Sequence, residues 1–328
     1  MLTTKSGKQT ERRESYSGSS PVVATGHAIA PAQRLRRVLV IHNPAAGWRK
    51  RRRLAAALSA LSARGLMAEL VLTTGPGDAA CLAEAIEPDL DAVVVAGGDG
   101  TINETINGLL GCGRPPPPLG ILPLGTANVL ANELGLPLDP VQAAAVLAEG
   151  CIAPVRLGRV NDRPFIMMAG VGFDARVVAR LDRRLKRWLG KGAYAVEMLR
   201  RLVYDRPMRL GIEIDGVRHD AASLIVANGH YYGGRFVLAP DARLTEPTLH
   251  ACLFERPGRW ATVQYVLATG LGRLGRQPGY RVVPAEHIVV HGLPGEPIQA
   301  DGELVGGLPA EITVSPVVLP VLVPPDHR

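Results

Sequence analysis

Several common architectures are excluded by what this sequence lacks. Aromatic residues make up only 4% of its 328 positions, and there are four cysteines, Cys81, Cys112, Cys151 and Cys252. These are scattered, with no C-x-x-C pair, which speaks against a disulfide framework or a cysteine-based zinc site and fits a reducing, cytoplasmic setting. No apolar run approaches the ~18–20 residues that cross a bilayer. Residues 1–35 lack the apolar centre of a secretory signal and read as a flexible tail. No G-x-x-x-x-G-K-[ST] occurs, so the chain is not a P-loop NTPase. Acidic residues are missing from 34–53, which carries eight basic ones.

The remaining composition is that of a globular protein. Hydrophobic residues make up 47%, charged residues 20%, and the net charge is +7. The length suggests two domains with an ample core. The positive excess favours anionic partners, either phosphates or acidic headgroups. It is concentrated in 34–53 and in 176–209, where eleven basic residues face three acidic ones. Net charge alone, with few aromatics and no recognised module, does not support nucleic-acid binding.

From residue 37 onward, short apolar runs alternate with helical periodicity. Strands are expected at 37–42, 68–72, 91–96 and 119–122, and helices at 49–64, 79–86, 101–110, after 128, and at 139–149. Strand–helix alternation implies a parallel sheet wrapped by helices. After about 151 the texture turns to antiparallel β. Hairpins are expected at 155–169 and 208–227, further strands near 236–238, 248–254, 280–290, 298–305 and 310–314, and helices near 176–205 and 259–274. The run Val317–Val323 reads as a strand returning to the first half, and Pro316 and Pro320 argue for an edge position.

Three loops follow predicted parallel strands: Asn43-Pro44-Ala45-Ala46-Gly47, Gly97-Gly98-Asp99-Gly100-Thr101 and Gly125-Thr126-Ala127-Asn128. Ligands of open α/β sheets bind at strand carboxyl ends, so the loops should converge on one crevice. Glycines let backbone N–H groups approach phosphate oxygens, and helix N-termini add a favourable dipole. Asp99 adds a carboxylate able to hold Mg²⁺ through water or accept a proton, and Thr101 and Asn128 offer neutral hydrogen bonds. Asp301 and Glu303, two apart in a strand-like run, should point to one face, where a metal could compensate their repulsion.

These loops, together with Ala96–Glu104, Leu122–Ala131, Gly170–Ala175, Ala227–Gly229, Leu238–Ala242 and Asp301–Glu303, resemble the diacylglycerol kinase catalytic-domain family over about 37–323. That family includes bacterial lipid kinases, sphingosine kinases and ceramide kinases. The resemblance implies a Rossmann-like parallel α/β nucleotide-binding domain (36–136 plus 315–324) followed by an antiparallel β-sandwich lipid-substrate domain (137–314), with the active site between them. It implies ATP-dependent, Mg²⁺-assisted phosphorylation of a lipid hydroxyl. Asn43, Pro44, Gly47, Thr73, Gly97, Gly98, Gly100, Thr101, Glu104, Gly125, Thr126 and Asn128 would line the nucleotide site. Asp301 would be the general base, with Asp99 a rival for that role, and Asp99 and Glu303 would stand near the metal.

Two positions depart from the family pattern. Val129 stands where bacterial members commonly carry Asp, and Glu246-Pro247 replaces an Asp-Gly turn, which puts in doubt a structural Mg²⁺ site involving Asp241. A lipid kinase would work in the cytoplasm and visit the membrane. The stretch Arg180, Arg183, Arg184, Lys186, Arg187 and Trp188, and the helix face of Trp260, Val263, Val266 and Leu267, offer surfaces for anionic headgroups. Rival readings are an NAD kinase, which shares the Gly-Gly-Asp-Gly-Thr loop, and a nucleotide- or lipid-binding regulator without turnover. Gly170–Ala175 fits G-x-G-x-x-A but lacks a βαβ setting, and His287 and His291 lack the Glu of H-E-x-x-H. A homodimer stays open.

Overall fold

The computed structural model describes residues 29–31, 35–44, 48–180, 200 and 208–326. The first half runs β1 (Ala30–Pro31), β2 (Arg37–His42), α1 (Trp48–Ala63), β3 (Met67–Leu72), α2 (Asp78–Glu84), β4 (Ala92–Gly97), α3 (Asp99–Gly111), β5 (Leu119–Pro123), α4 (Val129–Glu133) and α5 (Pro140–Glu149). Strands β3, β2, β4 and β5 lie side by side in that order, all parallel. Alternate residues of β2 and β4 feed opposite faces of the sheet. Val38, Val40 and Val94 pack on Leu54 and Leu61 of α1 and Leu147 of α5. Leu39, Ile41, Val93 and Val95 pack on α2 and on Ile102, Ile106 and Leu109 of α3. Burial on both faces explains why these strands are unbroken apolar runs.

The second half runs β6 (Cys151–Val160), β7 (Arg163–Phe165), β8 (Met168–Val171), α6 (Phe173–Arg180), β9 (Leu210–Ile214), β10 (Val217–Ala221), β11 (Ser223–Ala227), β12 (Tyr231–Tyr232), β13 (Phe236–Val237) and β14 (Leu249–Phe254). It continues with α7 (Arg259–Gly270), β15 (Tyr280–Ala285), β16 (His287–His291), β17 (Pro297–Ala300), β18 (Glu303–Gly307) and β19 (Ala310–Val323). Six strands form an antiparallel sheet in the order β15-β14-β11-β8-β17-β18. The first sheet continues past β5 through β19, β16, β9 and β10. The two sheets pack face to face through Val171, Leu224 and Leu253 on one side and Ile212, Ile288 and Ile312 on the other. The architecture is thus a parallel α/β unit followed by a β-sandwich, with one sheet shared between them.

Three expected strands divide in the structure. The run 217–227 is cut at Ala222, so that β10 pairs β9 in the first sheet while β11 pairs β8 and β14 in the second. The run 280–290 is cut at Glu286 in the same way. The run 298–305 is folded back on itself at Asp301-Gly302, both at positive φ, 48° and 83°. Periodicity alone does not reveal where a strand changes sheets.

The returning C-terminal strand corrects one expectation, because it is interior and not an edge. β19 pairs β16 and β6 antiparallel and meets β5 in parallel at Val321–Leu119. Pro316 falls inside a register shift between Val314 and Val318, where its missing N–H interrupts no ladder bond, and Pro320 sits opposite Pro154. Among the described residues no helix is long and apolar enough to cross a membrane. Arg183, Arg184, Lys186, Arg187 and Trp188 lie outside the described residues.

Candidate active site

The three loops leave the carboxyl ends of adjacent strands. β2 ends at His42, which is 2% exposed. Its Nδ1 donates to the Ala96 carbonyl at 2.6 Å, since a carbonyl can only accept. Nε2 has no protein partner. Asn43 follows, exposed, then half-buried Pro44, while Gly47 lies outside the described residues. Thr73, 6% exposed, sits beside this loop through its N–H bond to the His42 carbonyl at 3.0 Å.

β4 ends at Gly97, whose carbonyl accepts from Leu124 N at 2.9 Å, which ties the second loop to the third. Gly98 is the N-cap of α3, and no side chain caps that helix, which leaves its first amides open to a ligand. Gly100 and Thr101 occupy this first turn and Glu104 the next. The two glycine loops touch backbone to backbone. A Cβ on Gly125 would lie 2.5 Å from Gly98 Cα and from Asn128 Oδ1. Only glycine permits that approach. Thr126 is exposed beside it. Asn128 adopts φ 49°, and its Nδ2 donates to the Gly125 carbonyl at 3.2 Å. Its Oδ1 is buried without a protein partner. An unpaired buried acceptor costs about 1–3 kcal/mol. Two of them, His42 Nε2 and Asn128 Oδ1, sit where these loops meet.

Asp99 bridges the second and third loops. Its Oδ1 accepts from Val129 N at 2.7 Å and from Leu130 N at 3.4 Å, holding the start of α4. Val129 therefore contributes its N–H here, and its side chain is buried in the core. At the other end of α4, Glu133 accepts from His230 N at 3.0 Å, His230 Nδ1 at 2.7 Å and Tyr231 N at 3.0 Å. This clamp joins the α/β unit to the sandwich.

Asn228 continues the connection. Its Nδ2 donates to the carbonyls of Arg156 and Ile166 at 2.8 and 2.7 Å, and its N–H to Met167 O at 2.8 Å. The segment so fixed cradles Asp301. Ile166 N donates to Asp301 Oδ2 at 2.7 Å, and Met167 N and Met168 N donate to Oδ1 at 2.9 and 3.0 Å. Burial, with a smaller contribution from the negative charge of Asp99, nevertheless outweighs the three amides and pushes this carboxyl up to about 6. The two carboxylates thus lie within electrostatic reach of one another. Glu303 does not share a face with Asp301, because the turn separates them. It is exposed and lines a cavity of about 230 Å³ with Asn103 and Asn107 of α3 and with Arg163.

Sequence reasoning missed Asp174, Tyr232 and Gln299. Asp174 is half-buried, and desolvation of its carboxyl raises its pKa. It accepts from Tyr232 Oη at 2.5 Å and from Gln299 Nε2 at 2.7 Å, while Gln299 Oε1 accepts from Gly302 N at 2.8 Å. Gly170-x-Gly172-Phe173-Asp174, set aside as a false dinucleotide fingerprint, was the available signal. Asp174 and Tyr232 also form the polar end of a cavity of about 340 Å³ in the sandwich, whose walls include Ile225, Leu238, Phe254 and Val266.

Among the described residues no three His, Cys, Asp or Glu side chains converge as a metal site. Magnesium in phosphate sites usually takes one or two carboxylates, several waters and the phosphates themselves. Asp99, whose hydrogen bonds use only Oδ1, and Glu303 fit that pattern. His287 pairs with Glu311 at 2.8 Å on the sandwich surface. Near Asp241, His250 is buried with Nδ1 unpartnered, and burial lowers its pKa.

Comparison with known proteins matches residues 37–160 to the diacylglycerol kinase catalytic domain and 167–323 to the YegS C-terminal NAD kinase beta sandwich-like domain. The chain is 30% identical over 282 residues to the diacylglycerol kinase of Bacillus subtilis (strain 168), covering 84% of this chain and 93% of that one. It is 32% identical over 267 residues to a protein of Cronobacter sakazakii named probable lipid kinase YegS-like, covering 79% and 87%. A crystal structure of a diacylglycerol kinase from Bacillus anthracis str. Sterne shares the fold, with TM-score 0.72 at 24% identity, covering 89% of this chain and 99% of that one.

Proposed function

The chain belongs to the diacylglycerol kinase catalytic-domain family, and from that premise we propose that it transfers the γ-phosphoryl group of ATP to the hydroxyl of a diacylglycerol- or sphingoid-like lipid. The observation that carries this reading is Asp301, a carboxyl raised to about 6 by burial and within electrostatic reach of Asp99 in the second glycine loop. Phosphoryl transfer needs positioning and charge neutralisation more than covalent chemistry. The open amides of α3 and the Gly125-Thr126 loop bind phosphate oxygens, and Asn43, Thr73 and Asn128 complete the nucleotide site. Asp301 Oδ2 accepts only one backbone N–H, which leaves a lone pair for the lipid hydroxyl proton. Asp99 is already committed to α4, so it serves charge and position while Asp301 is the base. Bound through Asp99 and Glu303, Mg²⁺ would supply charge neutralisation at the phosphates. The apolar sandwich cavity takes the acyl chain, with its polar end linked through Gln299 to the turn that carries Asp301.

Incubation with labelled ATP, NAD and a total lipid extract tests the reading. Label is expected in a chloroform-soluble phospholipid. Label in NADP instead, or nucleotide binding without any transfer, would overturn it. Gly125→Ala provides a local check on the nucleotide loops. The added methyl forces apart backbones that now touch, and a displacement of about 1 Å costs on the order of 10²-fold in rate. We expect the KM for ATP to rise and kcat/KM to fall by that order. The circular dichroism spectrum should be unchanged, because the strain stays within a surface loop.

A further inference from the structure

We propose that α7 and the turn after it form a docking surface for an anionic lipid bilayer, and that the sandwich cavity opens through this surface to admit its lipid. The docking claim stands on the helix itself, and the claim about lipid entry rests on the lipid-kinase reading above.

α7 divides its faces between three environments. Ala261, Tyr265 and Ala268 are buried against the sandwich. Thr262, Val266 and Thr269 line the apolar cavity. Trp260, Leu267 and, just past the helix, Leu271 recur at helical spacing on the outer side and are 73%, 61% and 70% exposed. Three large apolar side chains this exposed on one stripe are not a core face. Phe236 and Val237 of β13, 45% and 39% exposed, extend the apolar area on a strand that packs on α7. The exposed lining residues Phe236, Arg256 and Arg259 mark the cavity mouth on this same side.

Charge selects the occupant. From Arg256 to Arg281 the chain carries Arg256, Arg259, Arg273, Arg276 and Arg281 and no acidic residue. Arg281 is paired with Glu255 at 2.9 Å. Of the rest, the Arg256 guanidinium donates to the neutral amide of Gln264, at 3.2 Å. An apolar stripe flanked at both helix ends by exposed arginines matches the layering of an anionic bilayer, with acyl chains beneath phosphate headgroups. A lipid drawn from that bilayer enters the cavity hydroxyl first between α7 and β13, so that its hydroxyl ends near Asp174 and the Asp301 turn and its acyl chain fills the cavity behind it.

The test is flotation of the full chain with phosphatidylcholine vesicles, with and without phosphatidylglycerol. The wild-type protein should float with the anionic vesicles and not with phosphatidylcholine alone. The triple variant Trp260→Ser, Leu267→Ser, Leu271→Ser and the double variant Arg273→Glu, Arg276→Glu should each lose at least about tenfold in bound fraction. Neither set lines the cavity, so both should keep wild-type phosphorylation of a short-chain, water-soluble diacylglycerol. Wild-type protein that ignores anionic vesicles, or variants that still float normally, would overturn the proposal. So would a wild-type dimer that the triple variant dissolves, since the stripe would then belong to a second copy. No turnover of the short-chain acceptor by wild type would instead defeat the kinase reading and leave the vesicle result standing.

Discussion

Asp301→Asn is expected to lower kcat by about 10²–10⁴-fold, the usual contribution of a positioned general base. The same substitution should abolish the acid limb of the pH–rate profile. The sign follows from the shift. A base must be unprotonated to work, and burial with the nearby charge of Asp99 holds this carboxyl up at about 6. Below pH 6, wild-type kcat/KM should therefore fall tenfold per unit of pH, while above it this group contributes no slope. Asparagine has no ionisation there, so its residual rate should be flat through the same range. The substitution also removes one amide partner. Oδ2 now accepts from Ile166 N, and an asparagine that keeps its oxygen toward Met167 and Met168 would turn an NH₂ toward that donor. A modest loss of stability is therefore expected, and the flat pH profile, measured where the variant is fully folded, separates lost chemistry from lost structure. A variant that keeps the wild-type acid limb would show that another group carries it.

The parallel half of the fold was legible because its signals are local. Apolar runs of strand length, a helical stripe after each, and glycine loops at strand ends all lie within a few residues of one another, and β2 and β4 fall within a residue of expectation. The sandwich was less legible because its defining event, a strand leaving one sheet for the other, happens at single residues such as Ala222 and Glu286 with no turn chemistry to mark them. The position of β19 was misread for a related reason. A proline excludes a ladder bond at its own N–H, not a strand from the middle of a sheet, and a register shift absorbs Pro316. In the site, the glycine loops and Asp301 could be seen in sequence because each is a compact motif. The connection between them could not. It runs from Asp99 to Val129, along α4 to Glu133 and His230, and from Asn228 to the amides that hold Asp301, through bonds that join residues 30 to 135 positions apart. The motif Ala227-Asn228-Gly229 was visible, but its work as the brace of the Asp301 cradle appears only when Arg156 and Ile166 are placed beside it.

Asp99→Asn should reduce turnover by a comparable order and, more tellingly, should move the pH dependence of whatever activity remains. The substitution is conservative for the cap of α4. An asparagine oxygen can still accept from Val129 N, so α4 and the Glu133 clamp beyond it should persist, and thermal stability should change little. What disappears is a negative charge. That charge disfavours ionisation of Asp301, so its removal lets Asp301 lose its proton at lower pH. The acid limb of the residual rate should shift below 6 and keep its unit slope. The direction discriminates between the two carboxylates. If Asp99 were itself the base, its replacement would erase the limb, and the Asp301 variant would retain one. A surviving limb displaced to lower pH in Asp99→Asn, beside a flat profile in Asp301→Asn, assigns proton acceptance to Asp301 and charge placement to Asp99. The double variant provides the closing check. With Asp301 already gone, the Asp99 substitution has no partner whose ionisation it can alter, so its effect on the pH profile should vanish while its effect on ATP binding remains. Coupling of this kind between two side chains is expected only where they share one crevice.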